Sequence, residues 1–143
     1  MTSVEFRFNA PDKLGYACTM LRRAALQRAK VAVTAEPELL RELDRVLWTF
    51  EPLEFVPHCF SGAPAEVLEA SPIVLCDSPR GAPHHDVLVN LGAEVPEGFE
   101  RFERLIEVVT PDEADRQGAR GRWQHYKSRG YEIQRKDLEA QEG

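Results

Sequence analysis

Basic and aromatic residues recur at helical spacing near the C-terminus of the chain. Arg116, Arg120, Trp123 and Lys127 lie within the segment ADRQGARGRWQHYKSRGY. At 100° per residue, their side chains fall within about 60° of one another on one face of an α-helix. Guanidinium groups beside an indole, on a chain of net charge -6, suit a ligand that combines a carboxylate or phosphate with a flat or apolar group. We therefore expect these four side chains to form one anion-binding surface.

A solvated charged face is the alternative explanation of this basic stripe. Asp112, Glu113 and Asp115 at the start of the segment can pair with arginines three or four positions later. Between residues 115 and 130, however, five cations accompany a single anion, Asp115. This excess of positive charge in the later turns favours an anion-binding site over a solvated face.

The histidines, cysteines and glycines of the sequence do not form a recognisable catalytic, metal or nucleotide site. His58 and Cys59 are adjacent, with no third orienting group, and so predict no nucleophilic site. His84, His85 and Asp86 lie in a Gly/Pro loop without a fourth ligand at a useful spacing, which favours solvated loop residues over a metal site. Neither GxGxxG nor GxxxxGK[ST] occurs, so we expect no nucleotide site and no cofactor.

Composition indicates a single domain, residues 1–143, in a reducing compartment. With 143 residues and 43% hydrophobic residues, the chain is long enough for one core and too short for two. The three cysteines, Cys18, Cys59 and Cys76, have no CxxC spacing, and we expect Cys18 and Cys76 to be buried. No apolar run approaches about 20 residues and no secretory leader is evident, so a cytoplasmic protein without membrane contact is expected. The acidic balance also argues against broad nucleic-acid binding.

Apolar periodicity predicts strands alternating with helices. Alternation and β-branched runs predict strands over 4–8, 30–35, 71–77, 86–91 and 105–109. Helical spacing predicts a helix capped by Asp12, a second over 37–48, and a last one with Thr110 as cap and Pro111 in its first turn. The segment SPRGAPHH suits a hairpin or longer loop, and from about residue 132 the polar end is expected to fray. This order predicts a three-layer Rossmann-like α/β domain, with helices on both faces of a mixed sheet that includes antiparallel pairs.

Trp48 marks a second candidate surface. On the helix over 37–48 it falls well off the face of Leu40, Leu43 and Leu47, so its indole is expected at the edge. With Phe50 and Phe55 around Pro52 it can form an apolar patch of the kind that binds protein partners. It is equally consistent with the sequence that the loop after this helix folds back and covers the indole of Trp48.

Three segments resemble the chi subunit family of bacterial DNA polymerase III holoenzyme. They are LWTFEPLEFVPH (47–58), DVLVNLG (86–92) and PDEADRQGARGRWQHYKSRGYEI (111–133), and the similarity in order and spacing covers nearly the whole chain. The resemblance implies a non-catalytic adaptor with a Rossmann-like fold and no nucleotide. It also implies one surface for the psi subunit, which connects to the clamp loader, and another for the acidic C-terminal tail of single-stranded DNA-binding protein (SSB), so that nucleic acid is engaged only indirectly.

Residue by residue, the resemblance assigns both surfaces. The family's tail-binding arginine falls on Arg120, its pocket aromatic on Trp123 and a helper lysine on Arg116, while the psi-side tryptophan and phenylalanine fall on Trp48 and Phe55. These are the surfaces that helical spacing had already indicated. In one departure, Gln124 occupies the position of a second family lysine, and the segment between Pro111 and Arg116 is one residue shorter. Lys127 is expected to support the tail binding that this departure weakens.

Two functions of other classes fit the same basic helix. A Rossmann-like enzyme acting on a phosphorylated or carboxylated metabolite would need an acid or base near Arg120. A direct single-stranded DNA binder would stack bases on Trp123 and neutralise phosphates with the arginines.

Overall fold

The computed structural model describes residues 1–49 and 57–139 of the chain. Its strands are β1 (Ser3–Phe8), β2 (Val31–Thr34), β3 (His58–Phe60), β4 (Ile73–Cys76), β5 (Val87–Asn90), β6 (Arg104–Val108) and β7 (Ile133–Asp137). Its helices are α1 (Lys13–Leu26), α2 (Pro37–Thr49), α3 (Ala65–Ala70) and α4 (Glu113–Ser128), with short 3-10 turns at Pro79–Gly81 and Phe99–Arg101. The five predicted strands and three predicted helices are found in the expected order, with bounds that differ by at most two residues, whereas β3, α3 and β7 were not predicted.

The described strands form one sheet in the order β3-β4-β2-β5-β6-β1-β7. Every pairing among them is parallel, so the antiparallel pairs that we expected are not found in this part of the chain. The segment SPRGAPHH forms no hairpin, because β4 and β5 lie on opposite sides of β2. A parallel neighbour requires the chain to cross back over the sheet, and the helices and long loops provide these crossings.

Helices cover both faces of the sheet, which confirms the three-layer α/β architecture. On one face, α1 packs Ala17, Cys18 and Leu21 and α2 packs Leu40, Leu43 and Leu47 against the alternate residues of the strands. On the other face, α4 packs Ala119 and Tyr126 together with Phe99 and Phe102. Strands covered on both sides must be apolar throughout, and β2 and β4 are accordingly buried along their whole length.

The first helix begins as its sequence predicts. Asp12 has extended backbone geometry, and its carboxylate accepts a hydrogen bond of 2.9 Å from the Gly15 N–H. This contact satisfies one of the N–H groups that a helix start leaves without a partner.

The polar end of the chain corrects a prediction. We expected fraying from about residue 132, yet Ile133–Asp137 form β7, which pairs with β1 along its length. The segment is polar because β7 is an edge strand whose middle residues are exposed to solvent. Its backbone hydrogen bonds to β1 stabilise it where side-chain burial does not, and the edge position explains the misleading composition.

Candidate functional site

The helix α4 begins two residues later than predicted. Its cap is Asp112, whose carboxylate accepts a hydrogen bond of 3.3 Å from the Asp115 N–H. The predicted cap, Thr110, instead donates from its backbone N–H and its hydroxyl to Oδ2 of Asp115, at 2.8 and 3.0 Å. Lys13 of α1 donates to the other oxygen of Asp115 at 2.9 Å. These contacts fix the start of α4 against the end of β6 and the start of α1.

These contacts change the pKa of the Asp115 carboxyl. Burial acts to raise its pKa, but the hydrogen bonds from Thr110 and the nearby Lys13 ammonium outweigh burial and lower the pKa below the ordinary value of 3.8. Asp115 is therefore a charged anchor at neutral pH, placed at the positive end of the α4 dipole.

A cavity of about 450 Å³ lies between α4, β1 and β7. Its α4 wall consists of Arg116, Ala119, Arg120, Trp123 and Gln124. The remaining lining comes from Phe6, Phe8, Asn9, Val109, Thr110 and Arg135. The structure therefore brings together three of the four stripe residues. Lys127 is exposed on the following turn and is not part of the cavity lining.

Trp123 is held in place by aromatic packing. Its ring centroid lies 5.0 Å from that of Phe6, which is buried on β1 and itself contacts Tyr126. The side chain is half-buried, because position 123 falls on the helix between the buried face of Ala119 and the exposed arginines. The indole therefore presents an apolar surface to the cavity, and the Trp123 side chain loses little conformational freedom when a ligand packs against it.

The two stripe arginines reach the cavity as exposed side chains. Arg120 is 63% exposed, and its Nη1 lies 3.5 Å from Oε1 of Glu113, which is 65% exposed. An exposed pair of this length stabilises the helix little. A ligand carboxylate can replace Glu113 without a large energetic penalty.

Arg122 corrects the interpretation of the five cations. Its side chain is 3% exposed and its Nε donates to Oε1 of Glu107 at 3.0 Å, while Nη1 donates to the Ala93 carbonyl at 2.9 Å. Asn90 donates to the same Glu107 carboxylate at 2.9 Å, and the Tyr126 hydroxyl donates to its other oxygen. We call these four side chains, Asn90, Glu107, Arg122 and Tyr126, the buried network. Arg122 is therefore part of the core and cannot contact a ligand in the cavity.

Glu107 gave a sequence signal that could have identified this network. It stands in the middle of the apolar strand LIEVV, and Arg122 shares a helix face with Ala119 and Tyr126. Opposite charges at two buried positions indicate a pair, since an isolated buried charge is very costly. Burial raises the pKa of Glu107 above its ordinary value of 4.5, and Arg122 and the two neutral donors oppose that change.

Arg135 is the charged residue of the cavity lining that the sequence analysis did not assign to the site. It lies on β7, in the segment expected to fray, so its side chain was given no position. Two features of the sequence indicate a strand here. Gly130 follows α4 with a φ of 83° and ends the helix. Tyr131 and Ile133 then alternate with polar residues, as in a strand. That alternation extends to position 135.

At the opposite edge of the sheet, Trp48 projects from the end of α2. It is 55% exposed, and its ring centroid lies 5.1 Å from that of His58, the first residue of the edge strand β3. His58 Nε2 lies 2.9 Å from Oδ1 of Asp44, which orients the imidazole under the indole. Phe60 is also exposed on β3. The second predicted residue of this surface, Phe55, lies outside the described residues.

The other candidate groups carry no site in the described structure. The thiols of Cys18, Cys59 and Cys76 are free and buried, as expected for the first and third. Burial raises the pKa of Cys18 to about 11 and that of Cys76 to about 12, so both remain protonated. Across residues 1–49 and 57–139, no three or more His, Cys, Asp or Glu side chains are grouped to hold a metal ion. None of the helices in those ranges is long and apolar enough to span a bilayer.

A family model described as DNA polymerase III chi subunit, HolC, matches residues 1–134. The chain belongs to the chi subunit family of DNA polymerase III. It is 33% identical over 139 residues to the DNA polymerase III subunit chi of Pseudomonas aeruginosa, covering 94% of this chain and 95% of that protein. It is 30% identical over 119 residues to the DNA polymerase III subunit chi of Haemophilus influenzae, covering 82% and 81% respectively.

Family membership confirms the resemblance of the three sequence segments. It makes this chi-family chain an accessory, non-catalytic subunit of a DNA polymerase complex.

Proposed function

We propose that this chain links SSB to the clamp loader within the replicative DNA polymerase III complex. The cavity between α4, β1 and β7 binds the acidic C-terminal tail of SSB, and the surface around Trp48 binds the psi subunit. Nucleic acid is engaged only through SSB. A replication subunit of this kind works in the bacterial cytoplasm, without a membrane or a cofactor.

One observation carries the tail-binding proposal. Arg116, Arg120 and Trp123 share one wall of a 450 Å³ cavity, whose opposite side includes the aromatic residues Phe6 and Phe8. A pocket with cations at its mouth and aromatic rings along its sides is complementary to a peptide that ends in aspartates, an apolar residue and an aromatic residue.

The proposed binding mode follows from the roles of these groups. Arg120 donates charge-assisted hydrogen bonds to the terminal carboxylate, and it exchanges its weak contact with Glu113 for this stronger one. Trp123 flanks the terminal aromatic ring, and Arg116 attracts the preceding aspartates. Lys127, one turn beyond the cavity, adds long-range attraction that salt screens.

Isothermal titration with a synthetic tail peptide tests this mode. We expect Arg120→Ala to raise the Kd about tenfold or more, equivalent to about 1.4 kcal/mol. Arg101→Ala, which removes an exposed arginine that is not part of the cavity lining, is the matched control and should bind as the wild type does. The same peptide with an amidated C-terminus should also bind at least about tenfold more weakly, because Arg120 then has no terminal charge to pair with.

Failure of the wild-type protein to bind the tail peptide would reject the tail-binding function, and two further results would contradict this binding mode. One is wild-type affinity of Arg120→Ala for the tail peptide. The other is tight binding of a single-stranded oligonucleotide to this chain in the absence of SSB, which would instead support direct single-stranded DNA binding by Trp123 and the arginines.

The psi-binding proposal is supported by an exposed apolar edge. Trp48 is 55% exposed and contacts the ring of His58, and Phe60, two residues after His58 on the edge strand β3, is 37% exposed. Exposed tryptophan is enriched among residues that dominate the binding energy of protein interfaces. Phe55 is proposed as the second psi-binding residue on the strength of the family pattern alone.

A further inference from the structure

Arg135 lies on the wall of the cavity that faces α4. Its position on β7 pairs with Phe6 of β1, and registered residues of parallel strands point to the same face of the sheet. Arg135 therefore shares a face with Phe6, Phe8 and Trp123. Its neighbour Lys136 points to the opposite face, where it lines a separate groove beside α1.

Two aromatic rings position the guanidinium of Arg135. Its central carbon lies 5.0 Å from the ring centroid of Phe8 and 5.8 Å from that of Trp123. Both distances fall within the range of cation–π attraction, which fixes a long side chain that is otherwise exposed. The guanidinium is therefore already oriented over the aromatic surface of the cavity.

Within residues 1–49 and 57–139, Arg135 forms no ion pair with a carboxylate, and Asp137 on the same strand accepts a hydrogen bond from Asn9. Arg120, by contrast, contacts Glu113. Of the two, Arg135 can accept an anionic ligand without first leaving an acidic partner. Gln124, which also lines the cavity, contributes no charge. Arg135 thus supplies positive charge to the cavity from the strand, where α4 has a neutral amide.

We propose that Arg135 is a direct anion-binding residue of this cavity and that it binds an aspartate side chain of the acidic tail. This proposal rests on the proposed function, in which Arg120 takes the terminal carboxylate. Because Arg135 lies across the cavity from α4, it meets a second carboxylate of the same peptide. It also lies one position beyond the stretch of residues 1–134 that the family model matches.

Peptide titration with strand variants tests the assignment. We expect Arg135→Gln to weaken binding of the tail peptide about fivefold or more, since a charge-assisted hydrogen bond is lost. Arg135→Lys should recover part of the affinity, because the charge remains while the planar contact with the rings is lost. Lys136→Gln is the matched control, since it removes the same charge from the same strand on the opposite face, and it should change the Kd less than about twofold.

A double-mutant cycle identifies the group that Arg135 contacts. Replacing each aspartate of the peptide by asparagine in turn should weaken wild-type binding. At one of these positions the replacement should have little further effect on Arg135→Gln, because the partner charge is already absent.

The outcomes separate this proposal from the proposed function. If the wild type binds the peptide and Arg135→Gln binds equally well, or if all replacements are additive, the assignment of Arg135 is wrong while tail binding stands. If Arg135→Gln and Lys136→Gln weaken binding equally, the loss of affinity comes from the change in net charge, and the assignment of Arg135 is again wrong. If the wild type does not bind the peptide, both proposals fail.

Discussion

Replacing Arg122 by methionine should destabilise the protein far more than the same change at Arg120. The substitution removes the cation of the buried network and leaves Glu107, whose side chain is fully buried, without its charged partner. Arg120, two positions away on the same helix, is mostly exposed and only weakly paired. Both variants therefore replace an arginine of α4 by methionine, and they differ in how deeply that arginine is buried.

The expected magnitude follows from what remains around Glu107. Removing one partner of a buried ion pair costs about 3–5 kcal/mol of unfolding free energy. Asn90 and Tyr126 still donate to the Glu107 carboxylate in the variant, so we expect a loss of about 3 kcal/mol, at the lower end of that range. For Arg120→Met the expected change is within about 0.5 kcal/mol.

Urea unfolding followed by tryptophan fluorescence measures both variants at pH 7. The double variant Glu107→Gln with Arg122→Met provides the decisive comparison, because glutamine removes the unpaired charge, keeps one carbonyl oxygen as acceptor for Asn90, and can donate from its amide to the Tyr126 hydroxyl oxygen. We expect the double variant to be more stable than Arg122→Met by about 1–2 kcal/mol.

The pH dependence has a definite sign. Without Arg122, the pKa of Glu107 in the folded state rises further above its ordinary value of 4.5, so the folded variant binds a proton that the unfolded chain releases. The variant's deficit is therefore smallest below pH 4.5 and grows as the pH rises through the folded-state pKa. A loss under about 1 kcal/mol for Arg122→Met at pH 7, or a double variant no more stable than the single one, would refute this reasoning.

Two further predictions concern the start of α4 and the opposite edge of the sheet. Asp115→Asn should cost about 1–2 kcal/mol at pH 7 in urea unfolding, because it weakens the contacts with Lys13 and Thr110. The lowered pKa of Asp115 gives stability that is present above its ordinary value of 3.8 and is lost as the pH falls through the lower folded value, so variant and wild type should converge in acid. A constant difference across that pH range would contradict this account. Trp48→Ala should weaken binding of purified psi about tenfold or more with little change in unfolding, because the indole is 55% exposed. Unchanged psi affinity would remove Trp48 from the interface, and Arg120→Ala, at the other edge of the sheet, is the control that should bind psi normally.

The three long helices and the five strands β1, β2, β4, β5 and β6 were predictable because their residues repeat with clear periods. The spacing of Leu40, Leu43 and Leu47 indicated α2, and the side-chain oxygen of Asp12 indicated where α1 begins. Parallel pairing was not predictable in the same way. Whether two apolar strands run parallel depends on the crossings between them, and the Gly/Pro segment between β4 and β5 resembles a hairpin although it spans β2.

The candidate cavity was predictable on its helical side alone. Helix geometry relates Arg116, Arg120 and Trp123 by a fixed rotation, so the sequence identifies their common face, although Lys127 lies too far along the axis to join the cavity. Phe8 and Arg135 come from strands that meet only in the folded sheet, and no local pattern relates them to α4. Arg122 was misassigned because a charged residue on a buried helix face has its partner 15 positions away, on β6.

The direction of β1 and of the edge strand β7 matters for anyone who attaches a label to this protein. Since β1 and β7 run parallel, the chain enters the sheet at Ser3 on one side and leaves it at Asp137 on the other, next to Phe8. A fluorophore or affinity handle fused upstream of Ser3 is therefore at the end of β1 opposite to Phe8 and the cavity. Asp137 pairs with Phe8, which lines the cavity, so the end of β7 lies at the cavity's end of the strands. Immobilisation through the upstream end is therefore the orientation that keeps the attachment point away from the cavity.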